Sequence, residues 1–257
     1  MSKWRGALSA LFVLWPGSVA WAQPQRAPMP PAIAAPQDTA YPGGVITLEI
    51  DATDTTRGIF RGRERIPLSN DEPITLLYPQ WLPGSHAPRG PINLFAGLEV
   101  RANGERVAWR RDPVNVYAFH VDPPAGAREL EVTFQFLSPT QTSQGRVVMT
   151  PTMLNLQWNA MLLYPAGHYA TQIRFQPSVT LPAEWTFATA LDGAQNEGQT
   201  TRFAETDLET LVDSPMFAGR YSRVEQLDRS GRSRVTLSIF ADRPDQSCIL
   251  GNRDELG

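Results

Sequence analysis

The residues that could support metal or acid–base chemistry are few and scattered. The chain contains three histidines, His86, His120 and His168, and one cysteine, Cys248. A helical zinc site for hydrolysis needs His-Glu-x-x-His, which places two imidazoles one turn apart beside a glutamate that activates the metal-bound water. No histidine here has a second histidine three or four residues away. The sequence therefore predicts no metal ligands and no cofactor on this chain.

Patterns for a catalytic nucleophile are equally weak. No Gly-x-Ser-x-Gly occurs. Ser85 directly precedes His86, and neighbouring residues in a strand point to opposite faces. Cys248 has no histidine near it in the sequence. A hydrolase that uses the three histidines is kept as a third hypothesis, which unchanged activity in His86→Ala and His168→Ala would remove.

A proline-rich loop at residues 78–91 is the strongest candidate for recognition. It carries four prolines and two glycines, which restrict its backbone, and it presents Trp81, His86 and Arg89. The functional interpretation gives Trp81 an apolar or stacking contact and gives His86 and Arg89 polar or carboxylate contacts. The structural interpretation is a rigid crossover with a buried Trp81. The sequence leaves both open.

A second polar cluster has amides at every other position. Asn155, Gln157 and Asn159 are predicted to share one face of a strand, with Trp158 on the other face. Such a row could bind a peptide backbone or a sugar. It could equally lie in a half-buried strand whose amides bond to neighbouring backbone.

The ends of the chain predict export. Residues 1–22 read as a signal peptide, with Lys3 and Arg5 before an apolar stretch and Ala20-Trp21-Ala22 as the cleavage pattern. Residues 23–40 form a Pro/Ala-rich linker, residues 41–244 a β-rich domain and residues 245–257 an irregular tail. Without Lys3 and Arg5 the formal charge changes from −3 to −5. Such acidity disfavours nucleic acid or an anionic membrane as partner, and the expected location is periplasmic or secreted.

Alternation with a period of two dominates the mature chain. Apolar and polar residues alternate at 46–51, 129–136 and 234–239, which predicts strands with one buried face. Asn103-Gly104 predicts a two-residue hairpin turn. Further strands are predicted at residues 59–68, 74–78, 116–121, 173–179 and 185–190, and one short helix at 208–212. We therefore expect an all-β, mostly antiparallel domain, built as two sheets or as one strongly curved, saddle-like sheet.

Five segments in this order resemble the N-terminal domain of the glycyl aminopeptidase family of zinc metallopeptidases, peptidase family sixty-one. They are YPQWLPGSHAPRGP at 78–91, RDPVNVYAFHV at 111–121, GRVVMTPTMLNLQWN at 145–159, LYPAGHY at 163–169 and LVDSPMFAGRY at 211–221. The resemblance runs from about residue 41 to about residue 244 and implies a β-rich domain that precedes a zinc-binding catalytic domain.

The resemblance also implies a role. The N-terminal domain would form one wall of the peptide cleft, with Trp81, His86, Arg89, Gln157 and Asn159 as the residues that face it. Peptide substrate and the catalytic domain are the implied partners, and the zinc would be held outside this chain. No position here corresponds to the family's metal ligands.

The tail does not resemble the family's continuation into the catalytic domain. Residues 247–253, Ser-Cys-Ile-Leu-Gly-Asn-Arg, are expected to reflect a frameshift or premature stop, with a natural short form as the alternative. The first hypothesis is therefore a non-catalytic N-terminal domain of a secreted metallo-aminopeptidase. The second, from a different class, is a stand-alone periplasmic β module that binds peptide or glycan.

Overall fold

A computed structural model describes residues 29–81, 87–227 and 235–246. The chain divides into two compact units, residues 1–31 and residues 32–257. In the first unit only residues 29–31 are described, and everything below concerns the second. The predicted signal peptide, His86 and Cys248 lie outside the described residues.

Short strands are the main regular secondary structure of the described chain. The strands are β1 Ile46–Asp54, β2 Ile59–Pro67, β3 Ile74–Leu77, β4 Phe95–Ala102, β5 Glu105–Val107, β6 Trp109–Arg111, β7 Ala118–Val121, β8 Glu129–Leu137, β9 Met153–Leu156, β10 Tyr164–Pro165, β11 Arg174–Thr180, β12 Thr186–Ala188, β13 Gln195–Glu197, β14 Thr200–Arg202, β15 Thr206–Asp207, β16 Met216–Gly219, β17 Tyr221–Gln226 and β18 Thr236–Ala241. The helix α1 spans Leu208–Val212, and 3-10 turns occupy Ile92–Leu94, Thr142–Gln144, Trp158–Ala160 and Ala170–Gln172.

A nine-stranded sheet organises the domain. Its strands follow the order β13-β14-β11-β1-β2-β8-β4-β5, and β15 pairs with β11 outside this path. All pairings in it are antiparallel except that of β1 with β11. Alternate side chains of β1, β2 and β8 are buried, so one face covers the core and the other faces solvent.

Three smaller sheets accompany it: β10-β3-β7-β6, β12-β16-β9 and the β17-β18 pair. Residues of all the sheets except the β17-β18 pair contribute to one hydrophobic core, which includes Trp158, Phe60, Phe119 and Phe175. Among the described residues, no helix combines the length and apolarity needed to cross a membrane.

The expected all-β, mostly antiparallel fold is confirmed. The hairpin turn lies where it was predicted, between β4 and β5, with Asn103 and Gly104 at φ 52° and 82° as a type I′ turn requires. The short helix spans the predicted residues, and it begins at Asp207, whose side chain accepts a hydrogen bond from the Thr210 N–H at 2.9 Å.

Candidate functional site

The candidate site is a cavity of about 700 Å³, here called cavity A. It is bordered by the end of the proline-rich loop, the segment before β9 and the segment after β9. Its polar lining consists of two arginines and five amides: Arg89, Asn93, Gln144, Arg146, Asn155, Gln157 and Asn159. Three of the five predicted site residues, Arg89, Gln157 and Asn159, therefore border one cavity although the sequence separates them widely.

The proline-rich loop is tied to cavity A at its base. The buried Tyr78 donates its hydroxyl to the carbonyl of Ala160 at 3.1 Å, which links the start of the loop to the residue after Asn159. The backbone of Arg89 donates to the Gln80 carbonyl at 2.8 Å. A Cβ on Gly90 would lie 2.1 Å from the Pro79 oxygen, so only glycine allows this close approach of the two loop arms.

The amide row is only partly a strand. Strand β9 ends at Leu156, which pairs with Met216, and the next position on the partner strand is Pro215, which has no N–H to extend the ladder. The prediction that Asn155, Gln157 and Asn159 share one strand face is therefore wrong, since a 3-10 turn begins after Gln157. All three amides nevertheless line cavity A.

The hydrogen bonds of the amides leave polar atoms available. Gln157 donates its Nε2 to Asn155 Oδ1 at 2.6 Å, so the Gln157 carbonyl oxygen and the Asn155 amide nitrogen keep their remaining capacity. Asn159 is only 5% exposed, and its side chain makes no hydrogen bond to another described residue. Because this amide borders the cavity, a ligand there could bond to it.

The opposite wall is held by one buried hydroxyl. Ser138 follows β8, and its Oγ accepts hydrogen bonds from the backbone N–H groups of Val148 and Met149, each at 3.1 Å. These two bonds hold the segment that begins with Gly145 and Arg146 against the end of the large sheet. Arg146 therefore extends from an anchored segment into the lining of cavity A.

Two buried side chains anchor the floor. Trp158 is fully buried and donates its indole N–H to the Ser214 carbonyl at 2.9 Å. Glu64 on β2 is fully buried, and its Oε1 accepts from the Leu163 N–H at 2.8 Å. Its Oε2 has no hydrogen-bond partner among the described residues, and burial raises the pKa of Glu64 well above its ordinary value.

Trp81 borders a different surface. It is 57% exposed, which excludes the interpretation in which it is buried. Together with Tyr169 and His168 it lines a depression of about 250 Å³, here called the Trp81 depression. His168 bonds through Nδ1 to the Thr39 carbonyl at 2.8 Å. The loop thus presents Trp81 and Arg89 to two separate cavities.

His120 belongs to a buried polar chain. Its Nδ1 lies 3.0 Å from the Thr75 hydroxyl, and its Nε2 lies 2.9 Å from Asp112 Oδ2. Hydrogen bonds from the Asn115 N–H, His120 and the Val114 N–H lower the pKa of Asp112. This order of hydroxyl, imidazole and carboxylate resembles a catalytic triad, but none of the three residues lines cavity A.

A second cavity provides a contrast. Cavity B, of about 390 Å³, lies on the solvent-facing side of the large sheet and contains the side chains of Glu49, Asp51, Arg61 and Arg63. Glu49 is directly opposite Arg63 across β1 and β2, and Asp51 is opposite Arg61. Arg61 also contacts Asp54 at 2.7 Å.

Several residues of the site were missed by sequence reasoning. Arg146 and Asn93 line cavity A, and Arg146 directly follows Gly145 in one of the segments that carry the family resemblance. Glu64 alternates with the buried Phe60 and Ile66 on β2, so the two-residue period placed a carboxylate on the core face. A carboxylate at a position where the alternation requires an apolar residue was the sequence signal that could have identified Glu64.

Comparison with known families gives one match. The model of the peptidase M61 N-terminal domain matches residues 47–220. This match runs from the second residue of β1 to just beyond the end of β16 and contains every described residue that lines cavity A. No protein in the curated set matches the chain significantly.

Among solved structures, an aminopeptidase N family protein from Idiomarina loihiensis is similar in fold, with a TM-score of 0.59 and 18% identity. The match covers 76% of this chain and 32% of that protein, so the chain spans about a third of its length. An M1 zinc metallopeptidase from Deinococcus radiodurans matches with 13% identity and a TM-score of 0.42, over 82% of this chain and 49% of its own. Leukotriene A4 hydrolase from Saccharomyces cerevisiae matches with 9% identity and a TM-score of 0.42, over 76% and 30%.

Proposed function

The chain belongs to the peptidase M61 N-terminal domain family, and on that premise we propose that cavity A forms one wall of the peptide cleft of a secreted zinc metallo-aminopeptidase. The observation that carries the proposal is the convergence of Arg89, Gln157 and Asn159 on one cavity. The sequence predicts these three residues as cleft residues although Arg89 and Asn159 are 70 positions apart in the chain. The bond from Tyr78 to Ala160 holds the two segments together.

The chemistry of the lining suits a peptide. An extended peptide presents one N–H and one carbonyl oxygen per residue, and each amide side chain offers both a donor and an acceptor. Asn155, Gln157 and Asn159 all line cavity A. They can bond to successive backbone groups without selecting for a side chain, which is what a general peptidase needs from its cleft wall.

Bond cleavage is assigned to a separate catalytic domain. Among the described residues, no group of three or more His, Cys, Asp or Glu side chains is placed to hold a metal ion. The polar side chains of the described residues that line cavity A are guanidinium and amide groups, which are not zinc ligands. We therefore derive no step through zinc on this chain. A catalytic domain and the peptide substrate are its proposed partners.

The proposed location is the periplasm or the outside of the cell, because the first 22 residues have the charge, apolar stretch and small-residue site of a signal peptide. Sequencing the mature N-terminus tests this. A chain that begins at Gln23 in the periplasmic fraction supports export, and a chain that retains residue 1 in the cytoplasm contradicts it.

Titration of the labelled chain with the tripeptide Gly-Ala-Ala, followed by NMR, tests the cleft wall. We expect the side-chain amide signals of Gln157 and Asn159 to shift, with a dissociation constant on the order of 1 mM because one wall supplies only part of the contacts. Asn70 is an exposed amide outside cavity A and serves as the internal control. Shifts confined to other surfaces, or none, would contradict the proposal.

A second candidate function is supported by the Trp81 depression. Trp81 and Tyr169 are both more than half exposed and border the same depression, an arrangement that can stack on a sugar ring or an apolar side chain. A stand-alone glycan-binding module would show saturable binding that Trp81→Ala removes while the unfolding midpoint is unchanged. Binding that survives Trp81→Ala would eliminate this candidate.

A further inference from the structure

Cavity A carries positive charge without compensation. Arg89 and Arg146 both line it, one at the end of the proline-rich loop and the other before β9. No aspartate or glutamate is among the described residues that line it. The formal net charge of the chain is −3, and eight of the other fourteen described arginines form a salt bridge with a carboxylate. A positive cavity in an acidic protein is suited to attract an anionic group.

Both guanidinium groups are also free of internal partners. No salt bridge among the described residues includes Arg89 or Arg146. Their side chains are exposed and form no hydrogen bond to another described residue. A guanidinium presents donors in a planar fork that matches the two oxygens of a carboxylate. Neither arginine would have to give up an existing bond to receive one.

The surrounding amides complete a carboxylate site. Asn159 is almost fully buried and has an unpartnered side chain beside the cavity, and Asn155 keeps a free amide nitrogen. These neutral donors can bond to an oxygen that the guanidinium groups leave unpaired. The apolar floor, with Phe136, Ala160 and Met161 each 3% exposed or less, limits the access of water to the site.

We propose that cavity A binds a carboxylate of the peptide substrate through Arg89 and Arg146, with Asn159 as a neutral donor. This rests on the proposed role as a cleft wall and adds the substrate class, which is peptides with an acidic group near the scissile bond. The acidic group has two possible sources. It is the C-terminal carboxylate of a short peptide or the side chain of an Asp or Glu residue.

Three peptides separate these sources when they are titrated against the full chain and followed by NMR. Gly-Ala-Ala carries a C-terminal carboxylate, Gly-Ala-Ala-amide carries none, and Gly-Glu-Ala-amide carries only a side-chain carboxylate. We expect the peptide with the preferred carboxylate to bind about tenfold more tightly than Gly-Ala-Ala-amide, which corresponds to about 1.4 kcal/mol. Raising the salt concentration should reduce this ratio because the groups are partly exposed.

Arginine variants test the residues. In the double variant Arg89→Gln/Arg146→Gln, the ratio between acid and amide should fall to about one while Gly-Ala-Ala-amide still binds. Both arginines are exposed and unpaired, so the unfolding midpoint should be unchanged. Arg63→Gln, an exposed arginine in cavity B, is the matched control and should leave the ratio intact.

The outcomes distinguish the two proposals. If all three peptides shift the amides of cavity A equally, or if the double variant keeps the tenfold ratio, the carboxylate site is wrong and the cleft wall stands. If no peptide shifts those amides, the cleft wall itself fails, and the carboxylate site that rests on it fails too.

Discussion

Cavities A and B both contain two arginine side chains, yet they differ in how those charges are matched. In cavity B, each arginine lies opposite a carboxylate across the β1-β2 ladder. In cavity A, the part of the chain that the structure describes places no carboxylate in the lining beside Arg89 and Arg146. Regular pairing places opposite charges on neighbouring strands by register alone, and Arg61 forms its salt bridge with Asp54 rather than with Asp51. The irregular segments around cavity A leave their charges unpaired, and this difference is the basis for assigning function to one cavity and not to the other.

The two cavities also differ in what supports them. Backbone ladders between β1, β2 and β8 hold cavity B. Cavity A depends on individual hydrogen bonds to backbone groups, in which Tyr78 and Trp158 donate and Ser138 and Glu64 accept. Single substitutions should therefore affect the geometry of cavity A more than that of cavity B.

The largest effect is expected for Trp158→Ala. Loss of this fully buried ring and its bond to Ser214 should lower the free energy of unfolding by about 3–5 kcal/mol. It should also abolish the peptide response of cavity A. Ile50→Ala, at a buried position that borders cavity B, should cost about 2–5 kcal/mol and leave that response intact. Denaturant unfolding measures the stability of each variant, and the NMR titration measures its peptide response. A peptide response that survives Trp158→Ala would contradict the view that cavity A is the more sensitive of the two cavities.

The next effect depends on pH. Burial raises the pKa of Glu64 in the folded state above its ordinary value of 4.5, so its contribution to stability is fully present below pH 4.5 and is lost as pH rises toward the folded pKa. Glu64→Gln should remove this loss. Above pH 4.5, the free energy of unfolding of the Glu64→Gln variant minus that of the wild type should therefore increase, by up to about 1.4 kcal/mol per pH unit.

Asp54 provides a control with the opposite sign. Hydrogen bonds from Arg57 and Arg61 lower the pKa of Asp54, so its contribution is present above its ordinary pKa of 3.8 and is lost as pH falls toward the folded pKa. The difference in the free energy of unfolding between the Asp54→Asn variant and the wild type should therefore change only in the acid range. If the free energies of unfolding of the Glu64→Gln variant and the wild type differ by a constant amount from pH 4 to pH 8, Glu64 does not titrate as its burial requires.

A smaller effect is expected from two glycines. A Cβ would lie 2.1 Å from the Pro79 oxygen in Gly90→Ala and 2.1 Å from the Phe134 ring in Gly62→Ala. Each variant should lose about 1–3 kcal/mol of stability through overpacking. Only Gly90→Ala should also reduce peptide binding, because it displaces Arg89 from cavity A. Equal losses of peptide binding in the two variants would contradict the claim that a change at cavity B leaves binding at cavity A intact.

The smallest effect concerns two tyrosines. Tyr78→Phe removes the bond to Ala160, and Tyr41→Phe removes a bond of 2.5 Å to the Pro67 carbonyl. Each should reduce the free energy of unfolding by about 0.5–1.5 kcal/mol. Peptide binding should weaken in Tyr78→Phe alone, since that bond joins two walls of cavity A. Unaltered binding in Tyr78→Phe would mean that the walls are held by other contacts.

Prediction from the sequence succeeded where local pattern decides the structure. Alternation located β1 and β8, and Asn103-Gly104 located a turn, because side-chain direction and backbone conformation are properties of neighbouring residues. The amide row failed at Gln157, since β9 ends where its partner has Pro215, and that partner lies far along the chain. The convergence of Arg89, Arg146 and Asn159 likewise depends on long-range packing that no local period encodes.

The parallel pairing of β1 with β11 has a consequence for synthesis of the chain. Leu48 and Ser178 lie on these neighbouring strands but are 130 residues apart in the sequence. On the ribosome, β1 can form its hairpin with β2 early, while its other edge stays open until β11 has been made. During that interval the chain exposes an unpaired strand edge whose apolar residues are buried in the folded domain. Exposed apolar segments of this kind are what periplasmic or cytosolic chaperones bind. This strand edge can therefore close only after residues 174–180 are available, and any delay before that point prolongs its vulnerability to aggregation.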